Sequence, residues 1–387
     1  MVCAFLCTPQ RGKLGQDDNT SRCPLPSSVK HAHHLTGPNS YLSYNIPPQV
    51  LNHRPHFSVA FRTTSANGPL LFIGSEHGHS HVALYMSNGR LKLSIGDNQP
   101  TAHKSKCNDE KWHRVEFSIE METFHLVVDD LRAVDGVLLH ANGSSLGLKP
   151  PVYLGSVPQS AYTESQRFFP RESVEACVRN FKMNNQRIEE PSANHGAPPC
   201  FDGSMEGGAY FSGNGAYAIL DYPNSQYMFM GIGFHLDFEI RPRNLTGVLL
   251  HMKGKPHTHL TLFMRKGEIV LQVSSVAGVS KVSMETQNLC DGLFHHVTVA
   301  RKSNRVQLTV DKKSEVIQVP NSSLSGVSSL QHLYAGGVPD TLEHNKLPLR
   351  SSFLGCMRNL QINRKSVSFR AASKVFGPVN LRECPAS

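Results

Sequence analysis

No stretch of this 387-residue chain approaches the roughly eighteen consecutive apolar residues that a membrane-spanning helix needs. The opening Met1-Val-Cys-Ala-Phe-Leu-Cys7 is too short an apolar run for a secretory signal, so a secreted reading makes the chain part of a longer precursor. Catalytic signatures are missing as well. Neither Gly-x-Ser-x-Gly, His-Glu-x-x-His nor a phosphate-cradling glycine loop occurs, which leaves enzyme chemistry without support. There is one tryptophan, and aromatic residues make up 8% of the chain. They do not interleave with basic residues as a nucleic-acid stacking surface would require. Amphipathic patterning at helical spacing is also lacking, which argues against a helical fold.

What the chain does have is an excess of basic residues and a repeat. Lys and Arg number 39 against 30 Asp and Glu, a formal charge of +9, and such a balance favours an anionic partner. Cys107-Asn-Asp-Glu-Lys-Trp112-His113 recurs as Cys290-Asp-Gly-Leu-Phe294-His295. Val128-Asp129 recurs as Val310-Asp311, Tyr153-Leu-Gly-Ser-Val-Pro158 as Tyr334-Ala-Gly-Gly-Val-Pro339, and Cys177-Val-Arg-Asn-Phe181 as Cys356-Met-Arg-Asn-Leu360. The period is roughly 180 residues, far above that of solenoid repeats, so the repeated unit is a whole domain. The division expected is an irregular linker over 1–30, a first module over 31–200 and a second over 201–387.

Inside each module the pattern has period two. Phe57-Ser-Val-Ala-Phe61, Leu91-Lys-Leu-Ser-Ile95 and Val306-Gln-Leu-Thr-Val310 alternate, and turn residues such as Asn88-Gly89 and Lys266-Gly267 punctuate them. An all-β fold of two tandem antiparallel sandwiches follows. Cys177 and Cys356 match across the repeat, and each is followed by a cysteine at its module's end, Cys200 and Cys384. A bridge closing each module is the economical pairing, and it implies an oxidising, secretory compartment. Asn-x-Ser/Thr sequons at Asn19, Asn142, Asn244 and Asn321 are glycosylation candidates in such a compartment.

The ordered motifs Asp109-Glu-Lys-Trp112-His113, Val128-Asp129-Asp130, Tyr153-Leu-Gly-Ser-Val-Pro158 and Ala176-Cys177-Val-Arg-Asn180, each with its second copy, resemble those of laminin G-like modules. The pair looks most like the fourth and fifth modules at the end of a laminin α chain. Lys106-Cys-Asn-Asp, Ile240-Arg-Pro-Arg and Gly377-Pro-Val lean towards the α3 type, with α4 next. The resemblance implies a jelly-roll-like sandwich and a secreted adhesion role in the extracellular matrix and basement membrane. It implies heparan sulfate or heparin, syndecans, sulfatides and α-dystroglycan as partners. Contact with laminin β and γ chains would fall to upstream regions. It also implies a tie from a cysteine ahead of the first module into the second, Cys23–Cys290, leaving Cys107 free; Cys23–Cys107 is the alternative.

Family members that hold calcium do so with two aspartates. The matching positions here are Ser80 and Gln159 in the first module, and Thr258 and Asp340 in the second. No cofactor is expected, and Asp340 is the one carboxylate left for a calcium ion, which prefers several oxygen ligands. As a turn residue after Pro339 it has a simpler explanation. His77-Gly-His79-Ser-His81 would place three imidazoles on one face of an extended segment, but no carboxylate or cysteine completes a metal set, and an exposed loop is expected. The single tryptophan, Trp112, is expected to anchor the core.

The basic residues suggest where a sulfated glycan would sit. Arg90 and Lys92 share a strand face, as do Lys104 and Lys106 on the next strand. A hairpin centred on Asn98 would set Arg90 opposite Lys106 and Lys92 opposite Lys104. Like charges so opposed cost stability, which suggests a face kept for an anion. A register change of one residue would scatter them over two faces. Lys111 and Arg114 lie nearby in sequence, and Lys253, Lys255, Arg265 and Lys266 form a second candidate set.

Overall fold

The structure is a computed structural model that describes residues 23–75, 80–96, 98–138, 146–161, 170, 172–220, 228–229, 233–254, 259–275, 278–286, 288–319, 328–342 and 347–386. Two antiparallel sandwiches stand in tandem. In the first, one sheet runs in the order 131–137, 123–128, 113–119, 56–63, 175–183, 28–36, 199–201. The facing sheet runs 193–195, 41–44, 152–155, 68–74, 81–87, 90–95, 101–106. The second sandwich repeats both orders. Its sheets run 313–318, 305–310, 295–302, 235–242, 354–362, 209–212, 379–380 and 278–285, 268–275, 259–265, 247–254, 328–335, 217–220, 372–376. Helix is confined, among the described residues, to Pro48–Leu51 and the 3-10 turns Gln159–Ala161 and Phe369–Ala371. The all-β expectation holds.

Alternation explains the cores. Val115, Phe117 and Ile119 point inward from one sheet of the first module to meet Leu84, Met86, Leu91 and Leu93 from the other, and burying each such side chain is worth about 1.5–3 kcal/mol. Leu236, Phe238 and Ile240 meet Leu262, Met264 and Leu271 in the second module. The strands His81–Ser87 and His259–Arg265 are buried on both faces rather than one. Their outer sides are covered by each Ser-Val-Pro or Gly-Val-Pro motif and the stretch after it. Val157 and Ala161 lie on Phe72, Ala83 and Tyr85, while Val338 and Leu342 belong with Phe263 and Val270.

The sandwiches are joined covalently as well as by packing. Disulfides link Cys177 to Cys200, Cys356 to Cys384, and Cys23 to Cys290, so the alternative Cys23–Cys107 is not formed. The backbone of Phe201 pairs with Ser28 in the first module. Its ring packs edge-on to Tyr210 in the second, with centroids 5.0 Å apart. At the same joint Arg382 lies 3.7 Å from Glu175, and His34 is 3.6 Å from that carboxylate. Burial, then Arg62, lowers the His34 pKa to about 4.

Cys107 is fully buried beneath the edge of the first module and is the free cysteine among the described residues. Burial, then Asp129 and Asp109, raise its pKa to about 11. The thiolate is the reactive form. Native protein at pH 8 should therefore resist iodoacetamide at this position and be alkylated only on unfolding, which peptide mapping would read out. Modification of Cys107 in the native state would count against the burial described.

Candidate glycan-binding surface

The strands Arg90–Ile95 and Thr101–Lys106 close one edge of the first module. Arg90 stands opposite Lys106, but Lys92 pairs with Ala102, not Lys104. Between those two pairs, two steps on one strand face four on the other. His103 turns inward there, and its Nδ1 accepts the Ser105 amide at 3.1 Å. Because the extra length is two residues, the period of two survives it. Leu91, Leu93 and His103 are buried, while Arg90, Lys104 and Lys106 are exposed and Lys92 is half-buried. No carboxylate of the described residues pairs with any of the four.

Lys111 and Arg114 do not join them. Arg114 lies on His113–Ile119 in the other sheet, where it pairs with Glu116 and, at 3.8 Å, with Asp130. Lys111 precedes that strand and lies 3.6 Å from Asp109. Paired charges of opposite sign contribute little to a field felt at a distance. The second candidate set is also divided. Lys253 pairs with His259 at one end of the strand His259–Arg265, and Arg265 pairs with Glu268 of the following strand at the other. At about 3.4 Å per residue these ends are roughly 20 Å apart, with Lys266 beside Arg265 in the turn. Lys255 lies outside the described residues, as do Asn19, Asn142, Asn321, His77, His79 and Thr258.

Asp340 is exposed at the rim of a cleft of about 1100 Å³ lined by Tyr217, Asn244, Asp340, Arg350 and Phe376, among others. Its backbone carbonyl accepts from Arg350 Nη1 at 2.9 Å. A calcium ion takes about six to eight oxygens, and the described residues offer one carboxylate beside a guanidinium. Among them no group of three or more His, Cys, Asp or Glu side chains is placed to hold a metal ion. The described residues alone do not complete a site for the ion. In the first module Ser80 donates its amide to Ser75 Oγ at 3.0 Å, and Gln159 opens a 3-10 turn. His81 is buried, not exposed in a loop, with Nε2 3.1 Å from Ser94 Oγ. Asn244 is half-buried, and its Oδ1 accepts the Thr246 amide at 3.3 Å.

Residues 61–186 and 240–365 match the laminin G domain. The chain belongs to the laminin G domain family. Human laminin subunit alpha-3 is 34% identical over 389 residues, covering 98% of this chain and 11% of that one. Mouse laminin subunit alpha-4 is 30% identical over 380 residues, covering 97% and 21%. The solved mouse laminin alpha1 chain, domains LG4-5, superposes with a TM-score of 0.54 at 25% identity, covering 94% of this chain and 99% of that one. The resemblance to a laminin α-chain module pair therefore holds, and the chain spans about a tenth to a fifth of those two subunits.

The geometry also explains why these laminin G motifs travel together. His113 bridges two carboxylates, Nδ1 to Asp129 at 2.7 Å and Nε2 to Asp109 at 2.8 Å. Asp129 Oδ1 also accepts the Arg114 amide at 2.9 Å. In the second copy His295 reaches Asp311 at 3.0 Å and Asp291 at 3.2 Å. The Asp-x-x-Trp-His and Val-Asp motifs are thus two halves of one clamp between a loop and a hairpin. Trp112 does not enter the core. It is half-buried on the outside, packed on the Cys177–Cys200 bridge with the Arg179 guanidinium 3.9 Å above its ring and Arg62 at 5.3 Å. Phe294 lies likewise between Arg241 and Arg358. Periodicity cannot tell an aromatic that faces a core from one that covers a disulfide.

The clamp has a measurable pH signature. Burial opposes the charged His113 ring, but hydrogen bonds to Asp129 and Asp109 outweigh it and raise the pKa. A raised histidine pKa contributes stability that is complete below its unfolded value and fades as pH rises through the folded one. Asp129 has φ 51°, a conformation asparagine tolerates. Asp129→Asn should therefore cost about 1–2 kcal/mol at pH 6. That cost should shrink in alkaline denaturant melts; a penalty independent of pH would remove the charge from the explanation.

Proposed function

We propose that this chain is a non-enzymatic adhesion pair that binds sulfated glycan, heparan sulfate or heparin and the syndecan-type proteoglycans that carry it. The chain is a secreted component of the extracellular matrix and basement membrane. One observation carries the reading: Arg90, Lys92, Lys104 and Lys106 share the outer face of one sheet edge with no described carboxylate to neutralise them. The chain should be retained on heparin resin, elute with added NaCl, and ignore EDTA. Failure to be retained at low salt would end the proposal. Sulfatides present the same sulfate chemistry on a lipid surface and fit the same patch.

Calcium-dependent binding of receptor glycans, of the α-dystroglycan type, through the second module is the weaker reading, supported by Asp340 alone. It would gain only if added calcium raised the melting temperature or the affinity.

A further inference from the structure

The outer face of the sheet that bears the basic edge also carries a row of aromatic rings, one per strand. His195 stacks on Tyr41 with centroids 4.3 Å apart, and Tyr41 meets Tyr153 edge-on at 5.7 Å. Tyr153 is registered with Phe72, whose ring lies 6.3 Å from His81. The second module repeats the row as Phe376, Tyr217, Tyr334, His251 and His259, with successive spacings of 4.5, 6.2, 5.9 and 5.6 Å. The two rows differ in exposure. Tyr217 and Tyr334 are buried, whereas Tyr41 and Tyr153 are half-buried and His195 is exposed.

Strand parity puts this platform on the same face as the basic stripe. Leu42, Leu154, Leu84 and Leu93 all point into the core, so Tyr41, Tyr153, Tyr85 and Lys92 point out. Four inter-strand steps of about 4.8 Å separate the Tyr41 strand from the Lys92 strand, roughly 19 Å. Val157 and Ala161 cover the rings between them. Flat rings at one end and unpaired cations at the other suit a polymer that has both apolar ring faces and sulfates.

We infer that Tyr41, Tyr153 and His195 form a second subsite of the first module, on which a pyranose ring of the sulfated chain stacks through its C–H face. This inference rests on the glycan reading above and extends it, since the basic stripe alone asks only for negative charge. Stacking leaves counterion release untouched, so the two subsites differ in their response to salt.

The test uses the full chain with size-defined heparin oligosaccharides, titrated over a range of NaCl. Tyr41→Ala with His195→Ala should weaken binding of a long oligosaccharide by roughly three- to tenfold at every salt concentration, leaving the slope of log affinity against log salt unchanged. Tyr41→Phe should restore most of the loss, because the ring and not the hydroxyl is used. A disaccharide, too short to span both subsites, should not register the change. Unaltered affinity for long chains, or a flattened salt slope, would overturn the inference while leaving heparin binding intact. If wild-type protein fails to bind heparin, the broader reading falls instead. Coincident thermal melts of variant and wild type exclude a merely structural loss.

Discussion

Replacing Arg90, Lys92, Lys104 and Lys106 together by alanine should weaken heparin binding by roughly one and a half to three orders of magnitude near physiological salt, taking about 0.5–1 kcal/mol for each exposed charge contact. The four-residue change should also flatten the dependence on NaCl, because each cation removed is one fewer counterion released. Folding should not suffer. Arg90 and Lys106 face one another across the strand pair, and relieving that repulsion offsets lost packing of their stems. The control is Lys111→Ala with Arg114→Ala, whose charges are already partnered by Asp109, Glu116 and Asp130 and whose removal should change affinity little. If the control and the four-residue variant weakened binding equally, general positive charge would be responsible and the edge would lose its assignment.

Acid should destabilise the second module through one buried histidine, and a two-residue change should remove most of that histidine's share. His251 has no exposed surface. Burial, followed by His259 and Lys253, lowers its pKa to about 3. A lowered histidine pKa means stability that is complete above the unfolded value and is lost as pH falls from about 6.5 towards 3. At pH 5 the loss is about 2 kcal/mol, or about 4–8 °C in melting temperature for a module of this size. His251 Nδ1 lies 2.9 Å from Thr261 Oγ1, and the same cross-strand positions in the first module hold Phe72 and Ala83. His251→Phe with Thr261→Ala copies that apolar pair and should flatten the acid limb of the melting profile for this module. His34 at the joint, whose pKa is lowered to about 4, should keep a comparable acid response at about pH 5 in place. An acid limb unchanged by the double substitution would acquit His251.

Local alternation told which residues face inward along a strand, and that sufficed for the sandwich class and for Arg90 against Lys106. It could not count residues inside the hairpin. The inward turn of His103 inserts two that no turn signal announces, so Lys92 meets Ala102. Neighbourhood in sequence misled for Lys111 and Arg114, because the chain crosses to the other sheet between Lys106 and His113. It misled again for Lys253 and Arg265, which a hairpin sends to opposite ends. The aromatic rows were invisible for a related reason. Each ring comes from a different strand, so no window of sequence contains the pattern. The repeated Tyr153 and Tyr334 were a trace of it, and they entered the sequence reading only as the first residues of a repeated motif.

The bond between Cys23 and Cys290, 267 positions apart, has a mechanical consequence. A pull applied between the residues ahead of Cys23 and any point beyond Cys290 travels through sulfur and bypasses everything between them. At roughly 3.4 Å per extended residue, about 900 Å of contour length is withheld from stretching. The first module, with its basic edge and outward-facing rings, lies wholly inside that loop and bears no tension along its own backbone. A matrix protein loaded through its ends would keep this surface folded while its other segments lengthen.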